Sequence, residues 1–218
     1  MSSCLIIGGN GGLGRQLIPK LTTNRWPEPK YDVIAPSSKE LDITDLNAVT
    51  DFFDKNSFDL VINMSCCNID GFVHKLNQEN FLKQIDVNIV GNVNLVSTAL
   101  KHMRNTSGGN IILFSSILSD KAVAGTSMYS GCKGFIDSFV RTAAIENFNK
   151  NVYINSIQLG YFDGGLTDRI PDDIRTQIEK SIPAGRLGNV WEIYNTIEYI
   201  VKTPYVSGST IQVNGGLL

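Results

Sequence analysis

Apolar positions along the chain fall into short runs, set between longer stretches where they recur every three or four residues. Residues 4–7 are the first run. They break into Gly8-Gly9-Asn10-Gly11-Gly12-Leu13-Gly14 and resume as Arg15-Gln16-Leu17-Ile18 with helical spacing, which predicts strand, glycine turn and helix. Residues 22–30, with Asn24, Pro27 and Pro29, read as a loop, and residues 31–35 as a second strand stopped by Pro36. Asp45 is placed to cap a helix over residues 46–53. A third strand is expected at 58–63 and a loop at 65–71. Apolar residues then recur at helical spacing through Phe81, Ile85, Ile89, Val93 and Val96. Asn88 and Gly91, both poor helix formers, interrupt this helix and predict a local distortion of the kind that marks functional sites. Further strands are expected at 110–114, 152–159 and 209–213, with helices at 128–148 and 190–201. Residues 163–181 are polar, open on Asp-Gly-Gly and stop before Pro183, and so read as a mobile segment with one helix. Strands alternating with helices predict one α/β domain over residues 1–218, a doubly wound parallel sheet of Rossmann type with helices on both faces.

Composition narrows the partners. At 218 residues and 42% hydrophobic content the chain can bury one sizeable core. A net charge of -2 with no basic run argues against nucleic acid or an anionic membrane surface. The apolar runs are strand-sized, so neither a secretory signal nor a membrane span is expected, and the protein is placed in the cytoplasm. Cys4, Cys66, Cys67 and Cys132 lack metal-ligand spacing with His, and no metal is expected. All but Cys67 lie in or beside elements expected to be buried, which suggests reduced structural thiols. A redox role for the adjacent Cys66 and Cys67 is the alternative.

Candidate chemistry sits at the ends of strands. Glycines directly after a first strand allow a tight turn and close approach of a pyrophosphate to the amides that open the helix. The strand at 110–114 runs into Ser115 and Ser116, which puts a hydroxyl at the carboxyl edge of the sheet, where open α/β sheets bind ligands. Tyr129 and Lys133 are four apart. On a helix they share one face, where an ammonium favours the ionised form of a phenol and Ser116 holds a carbonyl oxygen beside it. The same spacing also occurs on ordinary solvated helix surface.

Taken together, the spacing of Gly8, Gly12 and Gly14, Asn63 after the third strand, Asn88, Ser116, the Tyr129-x-x-x-Lys133 pair and Asn214-Gly215-Gly216 resemble the short-chain dehydrogenase/reductase family over nearly the whole chain. The resemblance implies that Tyr129 is the catalytic acid or base and that Lys133 lowers its pKa and binds the nicotinamide ribose. It also implies that Ser116 orients the substrate and Asn88 anchors a water relay. Cofactor contacts are expected from Gly8, Asn10, Gly11, Gly12, Leu13, Gly14, Ser37, Ser38, Lys39, Asp42, Ile43, Asn63, Ser65, Leu159, Gly160 and Phe162, with Asp42 and Ile43 at the adenine. The run Ile182-Pro183-Ala184-Gly185-Arg186-Leu187-Gly188 resembles the end of a substrate lid, expected at about 163–183. The chain departs from the family pattern in several places: Ile7 stands for a hydroxyl residue, Asn63-Met64-Ser65-Cys66 for Asn-Asn-Ala-Gly, and Leu159-Gly160 for Pro-Gly. Gly164 replaces a threonine, with Thr167 as its substitute.

The expected activity is NAD(P)(H)-dependent hydride transfer to a carbonyl, or from an alcohol, of a small organic substrate. Two other readings stand beside it. One is a non-catalytic NAD(P)-binding sensor or scaffold. The other is a keto-sugar or nucleotide-sugar reductase, since the first third is also similar to the branch that includes dehydrorhamnose reductases. NADP(H) is favoured over NAD(H): Ser37 and Ser38 can donate to a 2′-phosphate and Lys39 can balance its charge, whereas Asp32 lies at the far end of its strand. Ile69, Ile117, Leu118, Tyr161, Phe162 and Leu166 are candidates to line the substrate pocket, with Arg169 or Arg186 as an anion clamp. The family resemblance implies a homodimer or homotetramer built on the helix at 128–148. Phe135, Ile136, Phe139, Val140 and Ile145 give that helix more apolar positions than one buried face needs.

Overall fold

The structure is a computed structural model that describes residues 2–23 and 31–217. The loop read at residues 24–30 lies outside the described residues. Among the described residues six strands form one parallel sheet: β1 (Ser2–Ile7), β2 (Tyr31–Ile34), β3 (Leu60–Asn63), β4 (Gly109–Ser116), β5 (Val152–Leu159) and β6 (Thr210–Val213). Their order is β2-β1-β3-β4-β5-β6. The chain therefore leaves β1 in one direction and returns to its other side as β3. This reversal opens a crevice at the carboxyl ends of β1 and β3, where Gly8 and Ser65 lie.

Period-two alternation divides the strands between two apolar layers. Leu5, Ile7, Val61, Ile111, Leu113 and Ile154 face one side, beneath α2 (Leu46–Lys55), α4 (Gly91–Met103) and α5 (Ser127–Asn147). Cys4, Ile6, Leu60, Ile62, Ile112, Phe114 and Ile157 face the other, under α1 (Gly12–Thr22) and α7 (Val190–Lys202). Near-continuous apolar runs are what a sheet covered on both faces requires. Asp45 caps α2, its carboxylate accepting from the Asn47 and Ala48 N–H groups. Asn189 and Glu192 form a reciprocal capping box at the start of α7.

Two elements differ from the sequence reading in ways that matter for the site. β4 continues through Ser115 and Ser116, because both pair in register with Gln158 and Leu159 of β5. The segment expected to carry one helix holds a 3-10 turn (Gly165–Arg169) as well as α6 (Asp172–Ser181). The expected helix distortion is present. α3 (Gln78–Ile85) passes into α4 through a π-helical turn, Asp86–Val90, with Asn88 at its centre. Gly91 follows it for a packing reason: a Cβ there would lie 2.7 Å from the buried Ile43 side chain. Among the described residues no helix is long and apolar enough to cross a membrane.

Candidate active site

The first half of the site is the glycine turn. Gly8 has φ +79°, and a Cβ on it would lie 2.7 Å from the Ser65 amide nitrogen, so β1 and β3 approach here on bare backbone. The Gly11 N–H donates to the Gly8 carbonyl at 3.0 Å, closing the turn. Gly11 gives α1 no side-chain cap, and the first turn of the helix holds no acidic residue. Its opening amides therefore lack a side-chain acceptor, which fits the pyrophosphate of a dinucleotide. Asn10 is exposed and Leu13 is half-buried. Gly12 meets the chain itself: its Cβ position is taken by the Gly165 backbone, and Gln16 Nε2 donates to the Asp163 carbonyl at 3.2 Å.

The second half lies where β4 ends. Tyr129 and Lys133 are on α5, both buried, at 7% and 3% exposure. Lys133 Nζ donates to the Phe114 carbonyl at 2.7 Å and sits 5.4 Å from the centre of the Tyr129 ring. Ser116 hydrogen-bonds the Tyr129 phenol and accepts from the Leu118 N–H at 3.2 Å. Burial raises the phenol pKa well above its ordinary value, and the Ser116 hydrogen bond only partly opposes this. Burial likewise holds the Lys133 ammonium below its usual value. The expectation that Lys133 pulls the phenol pKa down is thus not met, because desolvation is the larger effect on both groups. What the site presents is a protonated tyrosine.

Asn88, 1% exposed, faces the loop after β3. Its Oδ1 accepts from the Cys67 N–H at 2.9 Å, and its Nδ2 donates to the Cys67 carbonyl at 2.6 Å. One turn earlier Gln84 makes the same reciprocal pair with Ile69, at 3.3 and 3.2 Å. A second amide chain joins the strands to the π turn. Ser65 donates to Asn63, Asn63 Nδ2 donates to Asn92 Oδ1 at 2.9 Å, and Asn92 Nδ2 donates to the Asn88 carbonyl at 2.8 Å. The sequence reading missed Gln84 and Asn92. The i, i+4 spacing of Gln84, Asn88 and Asn92 was the available signal.

Other expected site residues are placed differently. Ser37 donates through both N–H and Oγ to Glu40 Oε2, each at 2.7 Å, so the chain's own carboxylate occupies the Ser37 donors, while Ser38 and Lys39 complete the turn. Asp42 accepts from the Thr44 N–H and hydroxyl, and the Ile43 side chain is buried against Gly91. The Phe162 ring is buried against Gly188. Leu159 is half-buried, and Gly160 carries the Asn214 backbone close against it. Ile117, with Leu118 and Tyr161 packed on it, joins Ile182 and Leu187 in a small cluster at the C-terminal end of α6. Ile69 is half-buried, Leu166 is exposed and Thr167 is buried. Arg186 is engaged in a bidentate pair with Glu192, at 2.6 and 3.2 Å, rather than available as a clamp. The Arg169 side chain lies outside the described residues. All four cysteines are free thiols. Cys66 is exposed, contrary to the buried placement expected for it, because the loop after β3 turns outward there.

A family model described as "Enoyl-(Acyl carrier protein) reductase" matches residues 31–218. A human 3-oxoacyl-[acyl-carrier-protein] reductase is 28% identical over 72% of this chain, and the match spans 65% of that relative's length. Carbonyl reductase family member 4 of Xenopus laevis is 23% identical over 98% of this chain and 97% of its own. The Vibrio cholerae 3-oxoacyl-[acyl-carrier-protein] reductase FabG is 26% identical over 98% and 96%. Among solved structures, a small-chain dehydrogenase in complex with NADPH superimposes with a TM-score of 0.88, at 23% identity, over 99% of this chain and 98% of that one. ElxO with NADP bound gives 0.89 at 22% identity, over 100% and 99%. At these identities the solved structures establish the fold.

Proposed function

Because the chain belongs to the short-chain dehydrogenase/reductase family, we propose that it is an NADP(H)-dependent reductase of a carbonyl group in a small organic substrate, acting reversibly on the corresponding alcohol. The observation that carries this reading is the meeting of Ser116, Tyr129 and Lys133 at the carboxyl edge of the sheet, beside the loop held by Asn88. The uncapped amides at the start of α1 and the bare backbone of Gly8 would hold the dinucleotide, with the Gly164–Gly165 backbone drawn off Gly12. A nicotinamide held there would supply the hydride. Tyr129, kept protonated by burial, donates its proton to the carbonyl oxygen, and the Ser116 hydroxyl provides a second donor where negative charge develops. Lys133, whose Nζ sits 5.4 Å from the centre of the Tyr129 ring, would bind the nicotinamide ribose. NADP(H) is favoured by Ser38 and Lys39 in the turn after β2, and the similar folds above were solved with NADPH or NADP.

Tyr129→Phe tests the assignment. It should leave cofactor affinity nearly unchanged and lower turnover at least about a hundredfold, the usual scale for an acid–base group. Retained turnover would overturn the role of Tyr129. A panel of ketones, aldehydes and keto sugars separates the readings. Tight cofactor binding with no turnover on any of them would favour a non-catalytic sensor, and a marked preference for keto sugars would favour the nucleotide-sugar branch.

The reading includes self-assembly through α5. Phe135 and Phe139 stack at 5.4 Å, Ile145 is 83% exposed, and Cβ atoms at Gly131 and Gly134 would meet nothing within 4 Å, leaving a bare helix face. Light scattering should give a multiple of 23.9 kDa, and the single mass would overturn it.

A further inference from the structure

Asp137 lies one helical turn beyond Lys133 on α5 and is 7% exposed. Its Oδ2 accepts from Ser115 Oγ of β4 at 2.7 Å. Its Oδ1 accepts from Ser156 Oγ of β5 at 3.0 Å and from Thr210 Oγ1 of β6 at 3.3 Å. Ser156 and Thr210 are themselves 2.9 Å apart. Three adjacent strands thus each turn a hydroxyl to one carboxylate. A buried acid is costly unless hydrogen bonds and a nearby opposite charge compensate for the loss of water.

Lys133 is a cation on which the Asp137 charge acts. Its neighbours are Tyr129 and Cys132 on its own helix, Cys66 from the loop after β3, the Phe114 carbonyl of β4, and Asp137. Asp70 faces Tyr129. Burial lifts the Cys132 thiol above its ordinary range, so it carries no charge near neutral pH. We propose that Asp137 is a positioning residue for the reaction, the counter-charge of the Lys133 ammonium and the anchor that holds the Tyr129–Lys133 face of α5 against β4, β5 and β6. Ser115, directly before the serine that touches Tyr129, belongs to this anchor and not to the substrate side. Hydroxyl partners suit the role, because they solvate the carboxylate without cancelling its charge.

The test uses Asp137→Asn, which keeps the shape and leaves the hydroxyls partners to bond. Charges one helical turn apart, about 6 Å at an effective dielectric of about 20, couple by roughly two pH units. Removing the negative charge makes both Lys133 and Tyr129 lose their protons at lower pH. The alkaline limb of kcat/KM for carbonyl reduction should therefore move down by at least about one unit, and Asp137→Glu should restore it. Ser156→Ala removes a hydroxyl but no charge, and should leave the limb in place. Lower activity with an unmoved limb would reduce Asp137 to a structural role and overturn the proposal. The activity arm rests on the function proposed above, so a second measurement is independent of turnover and of the variant's folding. In the wild-type protein, NMR titration of the Asp137 side-chain carboxyl carbon should show an inflection at the pH where the Lys133 ammonium nitrogen titrates. A carboxyl signal that ignores the lysine would overturn the proposal even if Tyr129→Phe behaves as expected.

Discussion

Replacing Asn88 by alanine should loosen the loop between β3 and α3 by a calculable amount. Asn88 makes two hydrogen bonds to one residue, to the Cys67 N–H at 2.9 Å and the Cys67 carbonyl at 2.6 Å. Each is worth about 0.5–1.5 kcal/mol net, and Cys67 is half-exposed, so water can replace the lost partner and avoid the full penalty of a buried orphan. The sum is about 1–3 kcal/mol. In a domain of this size each 1 kcal/mol moves the melting temperature by about 2–4 °C, so Asn88→Ala should lower it by roughly 2–12 °C. Gln84→Ala removes the longer pair to Ile69, at 3.3 and 3.2 Å, and should cost less. Asn88→Asp is the sharper probe. It places a carboxylate oxygen against the Cys67 carbonyl, so it should be worse than alanine at pH 7 and recover below about pH 4, where a protonated acid can donate again. Melting followed by circular dichroism, with turnover measured on the same samples, reads all three. A melting temperature for Asn88→Ala within about 1 °C of wild type, or a larger loss for Gln84→Ala, would refute the claim that this amide holds the loop.

The pair between Arg186 and Glu192 predicts an acid-sensitive start to α7. Arg186, and then the Asn189 N–H, hold the Glu192 carboxyl below its ordinary value of 4.5, against the opposing effect of burial. A depressed folded pKa gives stability that is present above the unfolded value and lost as pH falls through the folded one. The gap in urea midpoint between wild type and Glu192→Gln should therefore be constant from pH 7 to about 5 and shrink below 4.5; a gap that does not change with pH refutes it. The thiols should separate by burial. Iodoacetamide on the native protein at pH 8 should label Cys66 first, while Cys4 and Cys132, both buried and both raised by desolvation, stay unmodified. Mass spectrometry that finds Cys4 or Cys132 labelled ahead of Cys66 would contradict the exposures described.

Much of the molecule was legible before folding was considered, because it depends on neighbours in the chain. Short apolar runs marked the six strands described, and the glycines after β1 announced the turn at Gly8. Two poor helix formers marked the π turn at Asn88, and a four-residue spacing put Tyr129 and Lys133 on one face. What each face meets is a different matter. Ser115 and Ser116 are adjacent and chemically alike, yet the pleat sends one to Asp137 and the other to Tyr129, and only the packing of α5 decides which. Gln84, Asn92 and Asp137 look like solvent positions of amphipathic helices, but their partners lie 15 to 73 residues away. Ile43 packs against Gly91, Phe162 against Gly188, and Ser37 bonds Glu40, partners that their own neighbours in the chain do not announce. Burial reversed the sign of the tyrosine shift, since the desolvation of a phenol depends on everything around it, whereas spacing along a helix reports only the ammonium beside it. Local sequence sets which side chains share a surface. The cost of leaving water, and the partner that offsets it, exist only once distant segments have closed over that surface.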